Sequence, residues 1–120
     1  MSTARFESVD DYFASLDPPK AKTLRSIVDL ILGGFPDLEV KQSWNVPQIH
    51  RGDDYVFGVS ALKDHLSLAP WSEQVMSDFQ ARLEADGYLV KKNLFQVPIG
   101  WKIDEQLVCD LVEGRLAELE

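Results

Sequence analysis

Between Tyr55 and Ala69 two alternating runs are joined by a connection too short for a crossover, and this pattern constrains the fold most. Tyr55, Phe57, Val59 and Ala61 alternate with Val56, Gly58 and Ser60, and Leu66 and Leu68 alternate with His65, Ser67 and Ala69. Period-two alternation is the signature of a strand with one buried face. The link from Ala61 to Asp64 leaves no room for a helix between the strands, so they pair antiparallel. Pro70 ends the second ladder, and Ser72 opens a helix. The large side chains Tyr55, Phe57, Val59, Leu66 and Leu68 are expected to meet a helical layer. The opposite face is expected to carry Gly58, Ser60, His65 and Ser67.

Four amphipathic stretches supply that layer. Val9, Tyr12, Phe13 and Leu16 fall at i, i+3, i+4 and i+7, with Ser8 as N-cap. Leu24, Ile27, Val28 and Ile31 repeat the spacing in a helix over about 20–33, with Gly33-Gly34 expected to end it in the left-handed conformation. Val75, Met76, Phe79 and Leu83 mark a third helix over 72–85, closed near Asp86-Gly87. Asp104 caps a fourth over 104–118, with a stripe of Leu107, Val108, Leu111, Val112 and Leu119. Further strands are read at Leu38 to Trp44, Gln48 to Arg51, Tyr88 to Lys91 and Phe95 to Val97, the last two as a hairpin. Strands in a block between helices make this an α+β chain, two-layered, with an antiparallel sheet and helices on one face. A length of 120 residues suits one domain over 1–120.

Composition excludes several function classes. The net charge of −8 and the lack of any basic cluster beyond Lys91-Lys92 disfavour nucleic acid. No apolar run approaches the ~20 residues of a membrane span. The polar N-terminus lacks a secretory signal, and the chain is read as cytoplasmic. Cys109 is the only cysteine, so there is no internal disulfide and no multi-thiolate zinc site. Among Leu107, Val108, Leu111 and Val112 it reads as a small hydrophobe.

The segments Val9-Asp10-Asp11-Tyr12-Phe13-Ala14-Ser15-Leu16, Ser43-Trp44-Asn45-Val46-Pro47, Lys63-Asp64-His65 with Pro70, and Val97-Pro98-Ile99 resemble, in order and spacing, the motifs of the YdhG-like domains. Asn45 stands where that family has a turn glycine, Val97 where it has an aromatic, and Asp104 where proline is common. The resemblance spans about Val9 to Leu119. It implies a compact two-layer α/β fold in a bacterial domain of unknown function, with one member proposed as a frataxin-like iron chaperone, and it carries no catalytic residues over.

The candidate ligand-binding residues are His65, Ser67, Ser60, Trp44, Pro47 and Trp71. An imidazole beside small polar residues on an uncovered sheet face leaves room for a ligand, and two indoles flank the segment. No strained serine turn, oxyanion motif or phosphate loop accompanies them, so the chain is read as non-enzymatic. No resident cofactor is expected. Weak iron binding is assigned to the carboxylates Asp10, Asp11, Asp110 and Glu113, because hard, exposed oxygen ligands repel one another and a cation relieves that repulsion. The expected function is binding of a small ligand or protein partner by a monomer or homodimer, with intracellular iron handling as the form the resemblance implies. The alternative is self-association through the open sheet face.

Overall fold

The computed structural model describes residues 8–43 and 46–119. Among them run α1 (Val9–Ala14), α2 (Pro18–Gly34), β1 (Glu39–Ser43), β2 (Val46–Arg51), β3 (Asp54–Ala61), β4 (His65–Ala69), α3 (Glu73–Ala85), β5 (Leu89–Val90), β6 (Phe95–Pro98) and α4 (Glu105–Glu118). The strands form one antiparallel sheet in the order β1-β2-β3-β4-β6-β5, and the helices pack on one face of it. The chain is α+β, as the element pattern requires.

Alternation assigns the faces. Val59 lies opposite Leu68, which lies opposite Phe95; Ala61 lies opposite Leu66, which lies opposite Val97. These two cross-strand rows, with Phe57 and Ile49, meet Leu24, Ile27 and Ile31 of α2 and Leu107, Val108, Leu111 and Val112 of α4 in one hydrophobic cluster. At about 25 cal/mol per Å² of apolar surface removed from water, this cluster dominates the stabilisation. Tyr12 ties α1 down: its hydroxyl accepts a hydrogen bond from Ala61 N at 2.8 Å, and burial pushes its pKa up.

The helix ends follow local chemistry. Ser8, Ser72 and Asp104 accept hydrogen bonds from Asp11 N, Val75 N and Leu107 N, each at 3.1 Å. α3 ends in a Schellman motif: Tyr88 N donates to Leu83 O and Gly87 N to Glu84 O, with Gly87 at φ +90°. α2 departs from expectation at both ends. It starts at Pro18, because proline at the first helical positions has no N–H to waste. It does not end on a left-handed glycine. Gly33 and Gly34 remain helical, and the stop is Phe35, pushed to φ −135°, ψ 82° before Pro36.

The second departure concerns Tyr55. The β2–β3 register shifts between Ile49 and His50: Ile49 faces Phe57, but His50 faces Tyr55. Val56 is the extra residue of this bulge, so Val56 and Phe57 are both fully buried and Tyr55 turns to the face away from the helices.

These backbone assignments predict opposite responses to the same substitution. Gly33→Ala is expected to raise unfolding free energy by about 0.5–1 kcal/mol, because alanine suits a helix interior better and its Cβ meets nothing. Gly87→Ala is expected to lower it by about 1 kcal/mol, because alanine resists positive φ. Urea denaturation of the two variants reads both signs.

Candidate functional site

On the sheet face opposite the helices, the register sets side chains in rows. Gln48 lies opposite Gly58, which lies opposite Ala69; Ser60 lies opposite Ser67, which lies opposite Gln96; His65 lies opposite Pro98. His65, Ser67 and Ser60, nominated from sequence, thus share one face. Ser67 is 6% exposed and His65 half-buried, and neither the Ser67 hydroxyl nor His65 Nε2 has a hydrogen-bond partner. A shielded polar atom without a partner costs about 1–3 kcal/mol, so two on one strand mark a place where a polar ligand would be favoured.

Trp71 closes the other end of this face, two residues past Ala69, the end of β4, which itself lies about 13 Å along the strand from His65 at ~3.3 Å per residue. Its indole stacks on Tyr55 (centroids 4.9 Å apart, 26° between planes) and donates from Nε1 to Gln48 Oε1 at 2.7 Å. Lys41 Nζ lies 5.2 Å from the Tyr55 ring centroid. Trp71 has φ +53°, a conformation that costs a bulky residue on the order of 1–3 kcal/mol. Packing therefore holds an exposed indole in a strained pose. Beyond it, Ala69, Ser72, Asn93 and Leu94 shape a hollow of about 380 Å³.

Gly58 is needed here. A Cβ at this position would stand 2.5 Å from Gln48 Oε1, so glycine lets the Gln48 carboxamide lie across the strand and reach the indole. Sequence reasoning missed Gln48 and the Tyr55 stack. The Tyr55 stack depends on the β2–β3 bulge, which has no local marker in the residues around it, and Gln48 depends on its pairing with Gly58 across the strands.

The remaining nominated residues are dispersed. Trp44 lies outside the described residues, as does Asn45. Pro47 is buried and alternates with Gln48, so it faces the helical side beside Gln42 and does not join His65. His50 is in β2, with its Nδ1 2.9 Å from Gly52 O and β3 between it and β4.

The nominated carboxylates sit on two helices and two of them have partners. Asp10 pairs loosely with Arg25 at 3.6 Å. Asp110 accepts from Arg82 Nη1 and from Gln106 Nε2, each at 2.8 Å, and the Arg82 hydrogen bond holds its pKa below the usual value. Asp11 and Glu113 are exposed. Among the described residues no three His, Cys, Asp or Glu side chains gather as a metal-holding group. Cys109 is half-buried, and burial first, then Glu113, Asp110 and Glu105, push its thiol up; this disfavours the thiolate and accords with a packing role.

No family model matches the sequence, and no curated protein matches it. Solved structures share the fold, among them two from bacteria. The YdhG protein of the DUF1801 family from Bacillus subtilis superposes with a TM-score of 0.84 at 22% identity, covering 91% of this chain and 88% of that one. An uncharacterized conserved protein from Lactobacillus casei superposes with a TM-score of 0.64 at 23% identity, covering 92% and 91%. The fold implied by the sequence motifs is therefore the fold adopted.

Two outcomes check the site's construction. In a double-mutant cycle, Gly58→Ala and Gln48→Ala are expected to couple by on the order of 1 kcal/mol, because an alanine at 58 displaces the carboxamide and breaks its bond to Trp71 only when Gln48 is present. Additive effects would mean that Gln48 does not lie across Gly58. In a carboxyl titration followed by NMR, Asp110 is expected to protonate below the ordinary aspartate range and to move back toward it in Arg82→Ala, with the Gln106 hydrogen bond still acting to lower it. The depressed pKa means that this pair's contribution to stability is present above the unfolded-state pKa and is lost as pH falls through the folded one.

Proposed function

We propose that the protein is a non-enzymatic binding domain that takes a small polar ligand on the sheet face opposite its helices, against His65, Ser67 and Ser60 with Trp71 at the far end. The observation that carries this reading is the pair of shielded, unpartnered atoms His65 Nε2 and Ser67 Oγ on one side of β4. The strained indole at Trp71 supports it, since a residue held in a sparsely populated conformation needs a reason to stay there. The ligand class is one that both donates and accepts hydrogen bonds, because a hydroxyl does both and an imidazole nitrogen does either according to its tautomer. The working compartment is the cytoplasm, a reading supported by the lone half-buried thiol.

Iron handling is the narrower form of this reading and rests on the motif resemblance and the acidic surface. It reduces to loose, fast-exchanging binding at Asp10, Asp11 and Glu113, because Asp110 is engaged by Arg82. Self-association is a second mode for the same face, supported by Trp71 (39% exposed) and by Leu89 on β5 (57% exposed).

An amide-detected NMR screen against a metabolite panel tests the main reading. Hits are expected to shift Ser60, His65 and Ser67 saturably. Ser67→Ala is expected to keep or raise the unfolding midpoint while weakening the hits at least tenfold, since it removes an unpaired group and not a paired one. A screen whose hits all map elsewhere, or that yields none, contradicts the proposal. Anaerobic ferrous titration is expected to broaden resonances around Asp10, Asp11 and Glu113 and to spare His65; one tight, stoichiometric site would contradict the loose-carboxylate form.

A further inference from the structure

A second shielded group lies at the opposite side of the molecule. Gln42 sits on edge strand β1, opposite Pro47, and Val40, two residues before it, lies opposite the core residue Ile49. Alternation therefore turns Gln42 toward the helices, and both Oε1 and Nε2 of its carboxamide are shielded with no hydrogen-bond partner. An amide in that state leaves one acceptor and one donor unfilled side by side. Leucine would fill the same space without that penalty.

Gln42 lines a groove of about 500 Å³ between α1, α2 and β1, a volume within the range of small-molecule sites. Val9, Phe13 and Leu32 give it apolar walls. Arg25 stands at one side, its guanidinium 4.5 Å from the Phe13 ring centroid. The Arg25–Asp10 contact is long, at 3.6 Å, and both side chains are well exposed, so it is a weak, replaceable pair.

We infer that this groove is a second binding site, for a small ring carrying a cis-amide edge, as in a lactam or a cyclic imide, read by the Gln42 carboxamide. Only a partner with an acceptor and a donor on one edge fills both Gln42 atoms. A carboxylate offers acceptors alone and leaves Oε1 unpaired; an amine offers donors alone and leaves Nε2 unpaired. The flat ring suits the walls formed by Phe13 and Leu32. To read such an edge the shielded Gln42 amide must turn from the groove wall into the groove, and the two hydrogen bonds gained there are what would offset the cost of that movement. The site is on the helix-bearing side at β1, so it succeeds or fails independently of the face carrying His65.

Uracil and 2-pyrrolidinone are the probes, with acetate as the acceptor-only control, all titrated to the millimolar range against isotope-labelled protein. Either ring is expected to shift the Gln42 side-chain amide resonances and those of Phe13 and Arg25 saturably, with acetate shifting Gln42 little. Gln42→Leu is expected to weaken the probes at least tenfold and to raise the melting temperature by roughly 4 °C, because it removes an unpaired amide. Gln42→Glu keeps the shape but loses the donor, and is expected to lose ring binding with the rest of the spectrum unchanged. Absence of saturable shifts at Gln42 with both rings, binding of acetate equal to that of the rings, or full ring binding by Gln42→Glu would each overturn the inference.

Discussion

The two-residue period of β3 and β4 is the constraint on which the rest of the structure depends. Leu66 and Leu68 cannot both enter the core unless His65, Ser67 and Ala69 face the other way. Because β4 lies between β3 and β6, its alternation is copied outward through Val59, Ala61, Phe95 and Val97. The helices then have one apolar surface to cover, and α2 and α4 supply matching stripes at helical spacing. The face left over is a sheet of small and polar residues, and the proposed site arises as the complement of the core.

One irregularity in that frame has a large effect. A bulge of a single residue at Val56 reverses the sides of the strand before it, taking Tyr55 out of the predicted core and placing its ring between Lys41 and Trp71. Gln48 joins only because Gly58 has no side chain. The indole is thereby held at positive φ by a stack and a hydrogen bond, a case in which packing over-determines a strained residue. The half-buried Arg115, which donates from Nε to Tyr55 O, fastens α4 to the same strand on the helical side.

Most of the architecture was legible in the sequence because it follows from local rules. The four stripes, the Ser8, Ser72 and Asp104 caps, the Asp86-Gly87 stop and the short β3–β4 link each act within a few residues. What was not legible depends on distance in the chain. The Gly33-Gly34 reading failed because a following Phe35-Pro36 ends the helix by sterics, leaving the glycines nothing to do. Tyr55 failed because a bulge is decided by pairing with β2. Of the candidate site, His65, Ser67 and Ser60 were found by alternation, whereas Gln48 and Gln42 escaped notice: a glutamine in a strand shows its importance only when its bond to a residue distant in the chain, as for Gln48, or its want of any partner, as for Gln42, is visible. Asp110 was nominated as a free ligand because its contact with Arg82, 28 residues away, cannot be read from spacing.

The central claim, that alternation on β4 divides core from site, is tested most directly by placing lysine singly at each position from 65 to 69 and measuring unfolding free energy. The account predicts a sawtooth: Leu66→Lys and Leu68→Lys abolish folding or cost more than about 4 kcal/mol, because each buries an unpaired charge. His65→Lys and Ala69→Lys are expected to cost less than about 1 kcal/mol, because both positions are half-buried on the face away from the core and a lysine stem there can carry its ammonium out to solvent, with Ser67→Lys between the two groups. A profile without this period, or one in which His65→Lys is as damaging as Leu66→Lys, would contradict it.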